Sequence, residues 1–153
     1  MDTETQIEVL NTLIVINNDR IAGYETASEE TEESDLKNLF VDLQRTSRNC
    51  KSELINEIIK LGGTAEEDGT KITGKFFRVW MEVKAALTGN DRKAILNSCE
   101  YGESVAVQTY DDALRNNIEE LTDEQKAMLT AQQILLQTDH EAVKGLLAML
   151  EQD

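Results

Sequence analysis

Proline is absent from the 153-residue chain, and aromatic residues make up only 5% of it. Without proline nothing forces a helix to break, and with so few aromatic residues a β-sandwich core has little to draw on. Leu, Ala, Glu, Lys and Gln are plentiful instead, which favours long uninterrupted helices. No run approaches the roughly 18 consecutive apolar residues of a membrane span. The first residues, Met1-Asp2-Thr3-Glu4, lack the basic and apolar regions of a secretory signal, so a cytoplasmic location is expected. Basic side chains are scarce, 15 against 30 acidic ones, for a net charge of −15. Such a surface repels nucleic acid and anionic lipid, and neither is expected as a partner. Cysteine occurs twice, at Cys50 and Cys99, and histidine once, at His140. That leaves too little for a zinc-binding spacing, and buried free thiols are the expected state of the two cysteines.

The length suits one domain, residues 1–153, with room for a substantial core. Thr3 with Gln6 and Thr122 with Gln125 fit the capping box, and Ser34 and Asn90 fit the N-cap. Gly62-Gly63 reads as a helix stop. Helices are therefore expected at about 3–29, 34–61, 90–118 and 122–150. A different segment lies between the second and third. A polar stretch, Thr64 to Thr70, leads into Ile72, Phe76, Trp80, Val83 and Leu87, spaced as one face of a shorter helix. Two helical pairs with short internal connections and one long connection describe an all-α four-helix bundle with a helical crossover between helices 2 and 3. The crossover helix should lay Phe76, Trp80 and Val83 against the bundle.

The two halves share a pattern. Asn17, Tyr24 and Ala27 on helix one repeat as Glu103, Tyr110 and Ala113 on helix three, at identical spacing on apolar faces. This suggests duplication of a helical hairpin. Glu103 falls at the centre of an apolar arc of Leu96, Cys99, Ala106, Tyr110 and Leu114, where an ionised carboxylate is costly unless paired or ligating. Ser47 stands among the apolar residues of helix two. On helix four, Gln132 and Asp139 interrupt an arc of Met128, Ala131, Leu135, Ala142, Val143, Leu146 and Met149. A buried polar layer of Glu103, Asn17, Tyr24, Tyr110, Ser47, Gln132 and Asp139 is therefore expected. Tyr24 is the first candidate to donate to Glu103, with Asn17 and Gln132 next, and Tyr110 should approach Asn17 or a polar group of helix two. Exchanging Glu103 for Gln is expected to change stability by only about 1 kcal/mol.

A carboxylate-bridged di-iron bundle takes a Glu from each of two helices and Glu-x-x-His from each of the other two. Only Glu103 fits. Asn17 is its neutral counterpart, helix two offers Ser47 and Cys50, and helix four offers Gln137 with His140. The expectation is a degenerate site with no metal and no cofactor. The alternative is an iron-binding or ferroxidase-like protein using Glu103 with Asp139 or His140.

The stretch ITGKFFRVWMEVKAALTGNDRKAILNSCEYGESVAVQTYDDAL, from Ile72 to Leu114, resembles a bacterial family of ferritin-like four-helix-bundle proteins known only as a domain of unknown function. The likeness extends to Asn17 through Tyr24, to Gly62-Gly63 and to His140. It implies a ferritin-like bundle with a helical crossover, distantly related to the ferritin and rubrerythrin-like bundles, and it implies no activity. In those bundles a Glu is followed seven residues later by Tyr. Glu103-Tyr110 keeps that pattern, while Asn17-Tyr24, Ser47/Cys50 and Gln137/His140 depart from it. The combined expectation is a non-enzymatic structural or interaction protein, associating as a homodimer through an apolar patch.

Overall fold

The computed structural model describes residues 2–66, 83–89 and 91–151, and all regular structure among them is helical. Four long helices carry the fold: α1 (Thr3–Glu30), α2 (Ser34–Lys60), α3 (Arg92–Asn116) and α4 (Asp123–Glu151). Residues 83–89 form a further helical segment. No helix among the described residues is long and apolar enough to cross a membrane.

The helix ends follow local chemistry, with three adjustments to the caps expected from sequence. Asp2, not Thr3, caps α1: its carboxylate accepts from the Glu4 N–H at 3.0 Å, which frees Gln6 to donate to the Glu120 carbonyl at 2.7 Å. Ser34 is the first residue of α2, and Glu33 holds the cap position without a side-chain bond. Asn90 lies outside the described residues, and Asp91 caps α3 through the Ala94 N–H at 3.2 Å. An acidic carboxylate suits this place because it meets both the orphan N–H groups and the positive end of the helix dipole. At α4 the capping box forms in both directions between Thr122 and Gln125, each bond 3.0 Å. After α2, Gly62 adopts φ +80°, and a Cβ on Gly63 would come within 2.6 Å of Ile7 Cδ1. The left-handed φ favours glycine at 62, and a side chain at 63 would require Ile7 to shift where the turn folds back onto α1.

Helices α1 and α2 pack along their length, as do α3 and α4, and each pair contacts the other through α1·α3 and α2·α4. Cross-helix bonds fix the directions. On α1 and α3, Asn17 meets Tyr110 while Tyr24 meets Glu103. On α2 and α4, Glu57 meets Gln125 while Glu53 meets Gln132. Low numbers meet high ones in both cases, so each helix is antiparallel to its two neighbours. It follows that α2 and α3 run the same way, and the chain must travel back along the molecule between them. The return starts against α1: Asn11 donates to the Thr64 carbonyl (3.1 Å) and accepts from the Glu66 N–H (2.9 Å). It ends at the opposite end, where Val83 and Ala86 pack into the cluster of Tyr24, Phe40, Leu96 and Val143. Val83 was expected there; Phe76 and Trp80 lie outside the described residues.

The apolar core divides in two. One cluster surrounds Phe40, Ile95 and Leu96, and the other Leu10, Leu13, Leu54 and Leu129. Polar side chains from all four helices meet near the boundary. The face that α4 turns to this core differs in part from the expected one. Gln132 and Val143 are buried as expected, but Leu129, Leu136, His140 and Leu147 are buried with them, whereas Ala131, Leu135, Ala142 and Met149 are exposed. Helix α4 has two apolar faces, and periodicity alone does not say which one the partners bury.

Candidate functional site

The centre is organised by a residue the sequence reading passed over. Arg20, on α1, is fully buried with a side chain 0% exposed. Its guanidinium has five N–H donors, and each finds an acceptor. Nε donates to Glu103 Oε2 at 2.9 Å, and Nη2 to Glu103 Oε1 at 2.5 Å, a bidentate fork on one carboxylate. Nη2 also donates to Asp139 Oδ2 at 3.3 Å. Nη1 donates to Ser47 Oγ and to the Leu43 carbonyl, the latter at 3.4 Å. One cation from α1 thereby ties α2, α3 and α4 together.

Glu103 receives a third bond from the Tyr24 hydroxyl at 3.1 Å. The Tyr24 ring stacks on Phe40 at a centroid distance of 5.6 Å and lies 5.7 Å from the Arg20 guanidinium carbon. Burial by itself would favour a neutral Arg20, but the Glu103 carboxylate outweighs it, with Tyr24 and Asp139 adding in the same direction. Arg20 therefore holds its proton more tightly than an ordinary arginine. Burial likewise pushes the Tyr24 hydroxyl up, and the Glu103 charge adds to this. Asp139 is raised by burial, which the Arg20 charge only partly opposes. One guanidinium thus faces two carboxylates.

A second polar chain lies beside the first. Asn17 Nδ2 donates to the Leu13 carbonyl (2.8 Å) and to the Tyr110 hydroxyl (2.9 Å). Tyr110 donates to Gln132 Oε1 at 2.7 Å, and Gln132 Nε2 donates to the Cys50 carbonyl (3.3 Å) and Glu53 (3.1 Å). The two hairpins thus exchange equivalent contacts: Tyr24 of the first reaches Glu103 of the second, and Tyr110 of the second reaches Asn17 of the first. Both thiols sit beside these chains. Burial pushes the Cys50 thiol up to about 11 and raises Cys99 further. Neither forms an appreciable thiolate near neutral pH, so neither is an activated nucleophile.

Of the alternative metal ligands, Glu103 and Asp139 do converge, but on Arg20. His140 Nε2 instead faces Glu100 Oε1 at 2.9 Å, and its buried Nδ1 has no partner. Gln137 turns outward to bond Glu141. No group of three or more His, Cys, Asp or Glu among the described residues is placed to hold a metal ion. The donor set does not fit a di-iron centre, because both Glu103 oxygens and one Asp139 oxygen already accept from a fixed guanidinium.

The presence of Arg20 overturns the small effect expected for Glu103→Gln. That expectation supposed a carboxylate among neutral donors, whereas the exchange would strip a buried cation of its main counter-ion. A signal for Arg20 was present in the sequence. It stands three residues after Asn17 and four before Tyr24, on the same face of α1.

An all-helical chain with two antiparallel hairpins and a buried arginine–carboxylate centre is the class these observations define. Residues 5–116 match a family described as a domain of unknown function (DUF2383), and the chain belongs to that family. No curated protein matches the chain.

Proposed function

We propose that the chain is a ferritin-like four-helix bundle with a degenerate di-iron centre, and that it acts in the cytoplasm as a non-enzymatic structural or interaction protein. The observation that carries this reading is the fully bonded Arg20. In carboxylate-bridged bundles, inward carboxylates are balanced by metal cations. Here a side chain supplies the positive charge at the same level of the bundle, and it does so with no open coordination position. A metal binding to Glu103 would have to displace Arg20, leaving a buried guanidinium without its partner. The direction of the helices supports the same relationship, since parallel α2 and α3 with a long return between them is the arrangement of bundles with one crossover. The chemistry around the centre agrees with a structural role. Cys50 and Cys99 are held as thiols, and the Arg20 and Glu103 side chains are consumed in bonds to neighbouring groups of the protein.

The test is metal content and thermal melting. Protein purified without chelator should carry less than stoichiometric iron, and added ferrous iron should leave the melting temperature unchanged. Stoichiometric iron, with a rise in melting temperature that Glu103→Gln lacks, would establish the iron-binding or ferroxidase-like reading through Glu103 with Asp139 or His140 instead.

A further inference from the structure

The acceptors that hold the Arg20 guanidinium all lie on helices other than its own. Both oxygens of Glu103 come from α3, Asp139 Oδ2 from α4, and Ser47 Oγ with the Leu43 carbonyl from α2. Helix α1 contributes the cation and, through the Tyr24 ring 5.7 Å from the guanidinium carbon, an aromatic face beside it. The oxygens form a cradle, and Arg20 is its occupant.

Three features give the cradle a preference that does not depend on the Arg20 stem. The first is charge. Two carboxylates surround one guanidinium, so without a cation the cradle would bury uncompensated negative charge. The second is fixity. Tyr24 holds Glu103 Oε2 through a 3.1 Å bond that does not involve the guanidinium, and the Leu43 carbonyl is main chain within α2. The third is width. At N–H···O lengths of about 2.9 Å, the oxygens stand roughly 4 Å from the guanidinium carbon. A hard metal cation needs oxygens at about 2.0–2.6 Å. Oxygens carried on three packed helices would have to close in by about 1 Å or more to reach it. A planar fork meets them where they stand.

We infer that this cradle is a guanidinium-binding site in its own right, selective for a planar monovalent cation over a metal ion, with Arg20 as its tethered ligand; this rests on the functional reading of Arg20 as the cation of a metal-free centre. The ligand class is an N-alkylguanidinium. Its way in is the edge at Asp139, whose side chain is 17% exposed, against 0% for Arg20 and 1% for Glu103.

Thermal melting of the full chain tests this by cutting the tether. Arg20→Ala keeps Cβ and removes the equivalent of N-ethylguanidinium, which can then be added back. The variant should melt below wild type. Titrated through the millimolar range, N-ethylguanidinium should raise its melting temperature saturably, by about 3–6 °C at about ten times the dissociation constant. Ethylammonium, which has the charge without the fork, should not, nor should magnesium or ferrous iron. Wild type, whose cradle is filled, should gain from none of them. Arg20→Ala/Glu103→Gln should lose the response, which ties it to these oxygens. If Arg20→Ala is unfolded alone, N-ethylguanidinium should restore its helical circular dichroism and the other cations should not. An Arg20→Ala protein that N-ethylguanidinium neither stabilises nor refolds, or that magnesium or iron stabilises as well, would overturn the inference with the metal-free wild type left standing. Stoichiometric iron in the wild type would instead refute the functional reading beneath it.

Discussion

Exchanging Glu103 for Gln removes one charge and little volume, so it isolates the electrostatics of the centre. In the folded protein Arg20 loses a bidentate carboxylate at 2.5 and 2.9 Å and keeps one bond to Asp139 at 3.3 Å. Removing one partner of a buried ion pair costs about 3–5 kcal/mol, because the other charge stays buried. Two features reduce the loss here. The Gln carbonyl can still accept one guanidinium bond, and Asp139, 17% exposed at its side chain, remains as a counter-ion. We therefore expect about 3 kcal/mol, which for a domain of this size lowers the melting temperature by about 6–12 °C. Urea denaturation should show a lower midpoint with an unchanged slope. The double variant Arg20→Met/Glu103→Leu should lose less than the two single losses added together, since it removes both members of the pair. A Glu103→Gln loss below about 1 kcal/mol would refute the reasoning, since that is what a neutral hydrogen bond is worth.

Four further outcomes follow. Tyr110→Phe should cost about 1–3 kcal/mol in denaturant melts, because Gln132 and Asn17 both lose the hydroxyl; Tyr24→Phe should cost about 1 kcal/mol, because Glu103 keeps both Arg20 bonds. Asp19 is buried with an unpartnered oxygen, and burial pushes its carboxyl up to about 6 from 3.8. The folded state then keeps a proton that the unfolded state has lost, so stability should fall as pH rises from about 4 to about 6 and level off above. Asp19→Asn should flatten that fall, whose ceiling is about 3 kcal/mol at 1.4 kcal/mol per pH unit. Iodoacetamide at pH 8 should leave Cys50 and Cys99 unmodified in the native protein and alkylate both in denaturant, read by mass spectrometry.

The helical skeleton was legible because its signals are local. Periodic apolar residues, acidic caps and Gly62 each act within a turn or two of chain, and the boundaries fell within about two residues of those expected. The caps moved by one position where two neighbouring polar residues compete, as at Asp2 and Thr3. The facing of α4 was harder, since Leu129 and Leu136 on one side and Ile134 and Leu135 on the other offer similar apolar area, and only the packed partners decide. The polar layer was visible as misfits on apolar faces, which brought out Asn17, Glu103 and Gln132. Arg20 escaped because a long cationic side chain is ordinarily assigned to the surface, and a fully buried arginine is rare unless paired. Its pairing depends on Glu103 and Asp139, 83 and 119 residues away, and such distances carry no periodic signature.

The central claim, that Arg20 is the resident cation of this centre, is tested most directly by NMR of the arginine guanidinium protons. A fully buried, fully bonded Arg20 predicts one set of side-chain N–H signals that exchange slowly with water at neutral pH and have distinct Nη resonances. These should be lost or strongly shifted in Glu103→Gln. Ferrous iron, being paramagnetic, would broaden them if it bound at Glu103 and Asp139. The account predicts that they stay sharp when iron is added. Signals that exchange as fast as those of a surface arginine, or that disappear with stoichiometric iron, would contradict it.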